Sequence, residues 1–326
     1  MMQTFVKQIS FERLPAPRQN PEAWAAHVRR HWGGEGNWSE PPFLTADDAR
    51  ALVGRHMPEL LPDFDALMPM AGDAPGSAQG LALYNQRPFW SGCSVQVARQ
   101  ADRSTLLRNY DLGVTDCPCA FRLEELADGG WILGSGEAGW GYLDGINDRG
   151  LAIALTFGGR FVVGPGFTVL LVIRWLLQTC ATVEEALARL QRAEVPHRMA
   201  QNLVLVDRGG ARAVVYLSPD REMVVERELV GCTNHQGRVE VPEHGAFTRT
   251  VERLAHLQAQ DGALTLADFL RPPLYNQKYV EHFGTLYSVE YDPVALTAHF
   301  AWPERELRLD AESEATAFSV TLTQAP

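Results

Sequence analysis

Between residues 93 and 111 apolar and polar side chains alternate along the chain. Cys93, Val95 and Val97 fall on one face of an extended segment, and Ser94, Gln96 and Ala98 on the other. After a turn at 101–104 the run Thr105-Leu106-Leu107-Arg108-Asn109-Tyr110-Asp111 leads back. Two such runs joined by a short polar turn predict a β-hairpin. Further strands are predicted at 130–133, 151–157, 202–206, 211–217, 222–228, 285–291, 297–302 and 317–323. Helical spacing appears over 45–71, where Thr45 and Asp48 form a capping signal and Leu52, Met57, Leu60 and Leu61 supply an apolar face. Residues 167–180 are apolar nearly all round, which predicts a buried helix. Residues 183–193 are amphipathic, with Thr182 as N-cap and Glu184 and Glu185 in the first turn. Helical patterns return at 246–258 and 264–270. Residues 1–44 read as polar and rich in Pro and Gly, with one helical piece at 21–32, and 72–80 reads as a linker or loop.

Many antiparallel-looking strands around a central helix pair predict an α+β layered sandwich, two sheets packed face to face with helices outside. Periodicity leaves the order of the layers open. The chain has 326 residues, 46% of them hydrophobic and 21% charged, enough for a sizeable core. One large layered domain with an extra segment fits this length as well as two domains do. The formal net charge of -11 argues against nucleic acid as a partner. The longest apolar stretch contains Arg174 and is too short to span a bilayer. The N-terminus lacks the apolar core of a signal peptide, and five cysteines without framework spacing fit a reducing compartment, so a cytoplasmic protein is expected. Cys117-Pro118-Cys119 has no second cysteine pair nearby to complete a zinc set. Phosphate loops, dinucleotide fingerprints and serine elbows are absent from the sequence, and neither a metal nor a cofactor is expected.

The sharpest chemical feature is Gly92-Cys93, at the start of the predicted hairpin. A thiol there can attack the carbonyl just before it, and glycine tolerates a strained backbone at least cost. Hydrolysis of the resulting thioester would free Cys93 with an α-amino group of reference pKa about 7.7–8.0, close enough to neutrality to serve as the thiol's own base. Gly-Cys by itself is more often a buried core cysteine after a turn. The hairpin, however, returns Arg108 and Asp111 beside Cys93, where a carboxylate can hold the amine and a cation can lower the thiol pKa. An ordinary strand-end ion pair is the plainer reading of those two residues.

The pieces Gly92-Cys93-Ser94, Arg108-Asn109-Tyr110-Asp111, Asp144-Gly145-Ile146-Asn147-Asp148-Arg149-Gly150-Leu151-Ala152, Cys232-Thr233-Asn234-His235, Thr248-Arg249 and Leu286-Tyr287-Ser288-Val289-Glu290-Tyr291-Asp292 occur in one order. Together they resemble the penicillin acyl-coenzyme A acyltransferase family of peptidases. That family is related to choloylglycine hydrolases, within the N-terminal-nucleophile superfamily. The resemblance runs from about residue 45 to 302, with Ser94 where the family commonly has Thr and Asp148 where many members have Glu.

The resemblance implies a four-layer αββα sandwich. It implies cleavage between Gly92 and Cys93, with residues 1–92 retained as a small chain and residues 93–326 carrying the catalytic site. Cys93 becomes the nucleophile, Arg108 and Asp111 orient it, and Asn234 is the side-chain donor of an oxyanion hole. The backbone around Thr156 is the second donor, and Arg249 supports the cysteine. Asp144 and Asn147 read first as residues of a tight turn that also shape the pocket, and His235 as a structural histidine or a pocket residue. The expected partner is a small-molecule amide or acyl donor, with an amine acceptor if the acyl group is transferred. A homo-oligomer is compatible with this reading. The competing readings are a non-enzymatic binding protein of the same fold and a peptidase acting on other proteins.

Overall fold

A computed structural model describes residues 2–32, 39–99 and 103–324. Residues 101 and 102 of the turn expected at 101–104 therefore lie outside the described residues. In chain order the strands are β1 (Gln3–Leu14), β2 (Gly92–Arg99), β3 (Ser104–Leu112), β4 (Ala120–Glu125), β5 (Trp131–Glu137), β6 (Gly141–Asn147), β7 (Leu151–Phe157), β8 (Gln201–Asp207), β9 (Arg212–Leu217), β10 (Val224–Glu226), β11 (Gly231–Cys232), β12 (Gln277–Lys278), β13 (Phe283–Asp292), β14 (Thr297–Trp302), β15 (Arg305–Leu309) and β16 (Thr316–Gln324). The helices are α1 (Pro21–Trp32), α2 (Ala46–His56), α3 (Leu61–Ala71), α4 (Ser77–Leu81), α5 (Val169–Thr179), α6 (Val183–Ala193), α7 (Pro242–Thr248), α8 (Thr250–Ala259) and α9 (Leu266–Phe269).

Nine strands form one sheet in the order β10-β9-β8-β7-β6-β5-β4-β1-β16, and β11-β2-β3-β13-β14-β15 form the other, with β12 on β13. The inner faces meet where β2 and β3 pack on β7 and β8, and where β13 and β14 pack on β6. Helix α5 covers the outside of the first sheet at β5, β6 and β7, while α8 and α9 cover the second at β2, β3, β11 and β13. The layer order is therefore α, β, β, α.

Helix α5 is buried along its length, as its composition predicts, and its one charge is paired: Arg174 meets Glu124 of β4, which also accepts from the Tyr142 hydroxyl at 2.9 Å. A desolvated charge is tolerated when its partners surround it in this way. The Thr45 and Thr182 caps form, each hydroxyl accepting a backbone N–H three residues on.

Three expectations change. Residues 1–44 hold β1, inserted between β4 and β16, so the segment before Gly92 supplies a strand to the larger sheet as well as helices. Its inward face carries Lys7 beside Ile9 and Phe11, which disguises the alternation; the ammonium is satisfied by the Val114 carbonyl at 2.7 Å. The presumed linker at 72–80 contains the start of α4. The helix expected over 246–258 is two helices, broken where Arg249 adopts φ +52°. Among the described residues, no helix is long and apolar enough to cross a membrane.

Candidate active site

The β2–β3 register sets the site. Gly92 lies opposite Asp111, Cys93 opposite Tyr110 and Val95 opposite Arg108. Because side chains alternate along a strand, Cys93, Tyr110 and Arg108 face the space between the sheets, whereas Ser94, Asn109 and Asp111 face the outer helices. The hydrogen bonds agree. Gln96 donates to the Leu257 carbonyl of α8 and Asn109 to the Phe269 carbonyl of α9, each at 2.8 Å.

On the inner side Arg108 Nη2 lies 3.5 Å from Cys93 Sγ. Its Nη1 donates to the Tyr287 hydroxyl at 3.1 Å and pairs with Asp144, which reaches across from the opposite sheet. Asp144 also accepts from the hydroxyls of Tyr287, at 2.7 Å, and Tyr291. All of these side chains are buried. Asp144 is thus a mid-strand residue of β6 that anchors Arg108, not a residue of a tight turn. Burial pushes the Cys93 thiol above its ordinary pKa, and the Arg108 guanidinium opposes that rise. In the intact chain the thiol is therefore protonated at neutral pH.

On the outer side Asp111 accepts from Arg253 Nη1 at 3.0 Å and from the Thr285 hydroxyl at 2.7 Å. Burial raises the Asp111 pKa, and Arg253 works against it. The same guanidinium reaches Ser94 Oγ at 3.1 Å and Asn234 Oδ1 at 2.7 Å. Asn234 Oδ1 also accepts the backbone N–H of Cys93 at 3.1 Å. Two donors on one oxygen fix the orientation of the amide, so Nδ2 must point the other way, towards the Phe157 carbonyl at 3.4 Å. A contact that long is weak, and the amide keeps a second N–H.

Arg249 is a correction. It lies on the surface, bound to Glu252 at 2.7 Å, and the arginine that reaches the Cys93 surroundings is Arg253. The helix break at Arg249 turns the two arginines apart; in one continuous helix they would share a face. Asn147 is a second correction. Its amide donates to the Leu177 and Cys180 carbonyls at 2.8 and 2.7 Å and accepts from Leu151 N, so it ties the β6–β7 turn to the end of α5 and does not line a pocket. The Thr156 hydroxyl donates to the Thr233 carbonyl at 2.8 Å and accepts from Asn202 Nδ2 at 2.9 Å. His235 Nδ1 meets Thr250 Oγ1 at 2.9 Å, and Thr250 Oγ1 also accepts from Asn234 N at 2.8 Å. Thr156, Asn202 and Thr250 therefore clamp the loop that carries Asn234, a role with no motif to announce it. Sequence reasoning missed Arg253, Asn202, Thr250 and Thr285.

Gly92 is required by packing. A Cβ there would stand 2.1 Å from Phe283 Cζ and 3.0 Å from Asp111 Cβ. Its φ is not left-handed, so close approach replaces the backbone strain expected from sequence.

One set of metal-type donors occurs among the described residues, Glu12, His27 and His31. Its carboxylate is already taken by both imidazoles and by Arg30.

Residues 98–307 match the family described as acyl-coenzyme A:6-aminopenicillanic acid acyl-transferase. The chain belongs to this family. The match starts just after Cys93, so the family assignment does not rest on that residue. No curated protein matches the sequence. Among solved structures, a mutant conjugated bile acid hydrolase from Clostridium perfringens is 14% identical, with 70% of this chain and 96% of that one covered and a TM-score of 0.46. Penicillin V acylase from Agrobacterium tumefaciens is 16% identical over 67% and 86% of the two chains, with a TM-score of 0.43. The Caenorhabditis elegans N-acylethanolamine-hydrolyzing acid amidase ortholog is 12% identical over 62% and 93%, at 0.40. The α, β, β, α layering that the resemblance implied is the one the chain adopts.

Proposed function

We propose that this family member is a self-cleaving amidohydrolase or acyltransferase in which Cys93 is first the agent of cleavage and then the nucleophile. The observation that carries the reading is the holding of the Gly92–Cys93 peptide: its N–H sits on Asn234 Oδ1, and the adjoining thiol sits against Arg108. The sulfur attacks the Gly92 carbonyl carbon, the C–N bond breaks, and the nitrogen takes the thiol proton. Water then hydrolyses the thioester, giving a Gly92 carboxylate and a Cys93 thiol with a free α-amine. That amine keeps its acceptor on Asn234 and gains a pKa near neutrality. Residues 1–92 stay bound through β1 and the helices that follow it.

With a substrate, the thiol passes its proton to the α-amine and attacks an amide carbonyl. Asn234 Nδ2 stabilises the oxyanion, a contribution of about 3–4 kcal/mol for one donor. The α-ammonium protonates the departing amine, and the acyl-thioester passes to water or to a bound amine. The partner is thus a small-molecule amide or acyl donor.

The burial and raised thiol pKa of Cys93 favour one competing reading, an unprocessed binding protein of the same fold. Intact mass of purified protein beside Cys93→Ala separates the two. Two fragments divided at Gly92–Cys93, absent in the variant along with amidase activity, are expected. A single chain in both samples, or full amidase activity in Cys93→Ala, would refute the mechanism.

A further inference from the structure

The first 44 residues supply no group to the chemistry at Cys93, yet they hold the one set of metal-type donors among the described residues. Glu12 stands near the end of β1. His27 and His31 lie four apart on α1, so their rings share one face of that helix. Glu12 Oε2 meets His27 Nδ1 at 3.2 Å, and Oε1 meets His31 Nε2 at 2.8 Å. The three donor atoms all lie within 4.8 Å of one another, and the two ring centroids are 4.8 Å apart. A zinc ion holds nitrogen and oxygen ligands at about 2.0–2.2 Å in a tetrahedron, which sets neighbouring ligands about 3.3–3.5 Å apart. Both imidazole–carboxylate separations stand within about half an ångström of that spacing, so small side-chain shifts close the set.

Two imidazoles and one carboxylate suit zinc-type ions, whereas calcium and magnesium take oxygen ligands. The side chains of Glu12 and His31 are 16% and 11% exposed, which leaves a path for the ion and for water. Arg30 is the competitor. Its Nη1 lies 2.5 Å from Glu12 Oε1, but its side chain is 59% exposed and can turn to solvent when an ion takes the carboxylate. We propose that Glu12, His27 and His31 hold a divalent transition-metal ion of the zinc type, with water as the fourth ligand. The ring nitrogens that now meet the carboxylate become the ligating atoms, and each ring carries its hydrogen on the other nitrogen. Because β1 lies between β4 and β16, the ion ties α1 to the larger sheet and acts as a structural staple. Both elements precede the residues 98–307 that match the family, and the inference does not depend on the reading of Cys93.

The test uses the full chain without an affinity tag, stripped with a chelator and desalted. Zn2+ is titrated calorimetrically into wild type, Glu12→Gln, His31→Gln and Arg30→Ala, and Tm is measured with and without the ion. Wild type should bind one ion per chain at these residues, and Tm should rise by roughly 4 °C at a hundredfold excess over Kd. Loss of a second-shell partner commonly weakens a metal site about 10- to 100-fold, so Glu12→Gln or His31→Gln, each removing a ligand, should weaken binding at least about tenfold. Arg30→Ala removes the competing cation and should tighten binding, a change that a mere loss of packing does not produce. The two ligand variants come from different elements, and either one that folds suffices. Co2+ in place of Zn2+ separates this site from the cysteines, because a thiolate ligand adds a sulfur-to-metal charge-transfer band and imidazole and carboxylate do not. Absence of saturable binding in wild type overturns the proposal. So does binding that both ligand variants leave unchanged, binding that carries the thiolate band, or weaker binding in Arg30→Ala.

Discussion

Arginine 253 offers the most demanding check on the site, because its neighbour in sequence was the residue expected there. Its guanidinium is buried and holds three groups at once: Asp111, Ser94 and Asn234. Arg253→Met removes the cation and leaves a buried carboxylate with only the Thr285 hydroxyl. Breaking a buried pair from one side costs about 3–5 kcal/mol. It also frees the Asn234 amide to rotate, and losing one oriented oxyanion donor costs about 100- to 1,000-fold in kcat. Arg249→Ala removes only a surface pair with Glu252, worth about 0–1 kcal/mol. Urea denaturation and intact mass of the two variants measure these effects, with kcat on any amide the processed wild type turns over. Arg253→Met should unfold at lower urea and cleave slowly, and Arg249→Ala should match wild type. The double variant Asp111→Asn with Arg253→Met removes both charges, so it should regain stability relative to Arg253→Met without regaining cleavage. If Arg249→Ala blocks cleavage while Arg253→Met cleaves normally, the reasoning fails.

Gly92→Ala should cleave at least tenfold more slowly, since the new methyl meets Phe283 at 2.1 Å; Phe283→Ala in the same chain should restore part of the rate, followed by gel densitometry. Asp144→Asn removes the carboxylate that compensates Arg108 while leaving Cys93 in place, so the Arg108 charge acts more fully on the thiol, and thiol alkylation rates in the cleaved protein should report a lower thiol pKa than in wild type. His27 is held neutral by burial, with its pKa pushed down to about 4. Between pH 4 and 6.5 the unfolded chain then binds one more proton than the folded one, so stability is full above 6.5 and is lost as pH falls towards 4. The loss is roughly 3 kcal/mol, and His27→Gln should flatten that part of a Tm against pH curve.

How far the sequence reveals this protein depends on whether a feature is local. The β2–β3 hairpin, helix α6 with its Thr182 cap, and the strands β7 and β14 each declare themselves within a dozen residues, because period and cap are short-range signals. Strand β1 does not, since the carbonyls that satisfy Lys7 lie more than a hundred residues away and only the folded chain shows that an inward lysine is affordable. The site divides in the same way. Cys93, Arg108 and Asp111 are legible because a hairpin fixes their spacing. Yet the alternation that makes the hairpin also sends Arg108 and Asp111 to opposite faces of the sheet, so the two cannot act on Cys93 in the same manner. Arg108 meets the sulfur, while Asp111 acts through Arg253 and Asn234 on the nitrogen. The choice between Arg249 and Arg253 could not be read from periodicity, since residues four apart lie on one face of a helix. It was made by a single left-handed residue at the helix break, and that residue is Arg249 itself. The cation on sulfur therefore comes from β3 inside the sheet, and the carboxamide on nitrogen from the loop after β11 at its edge.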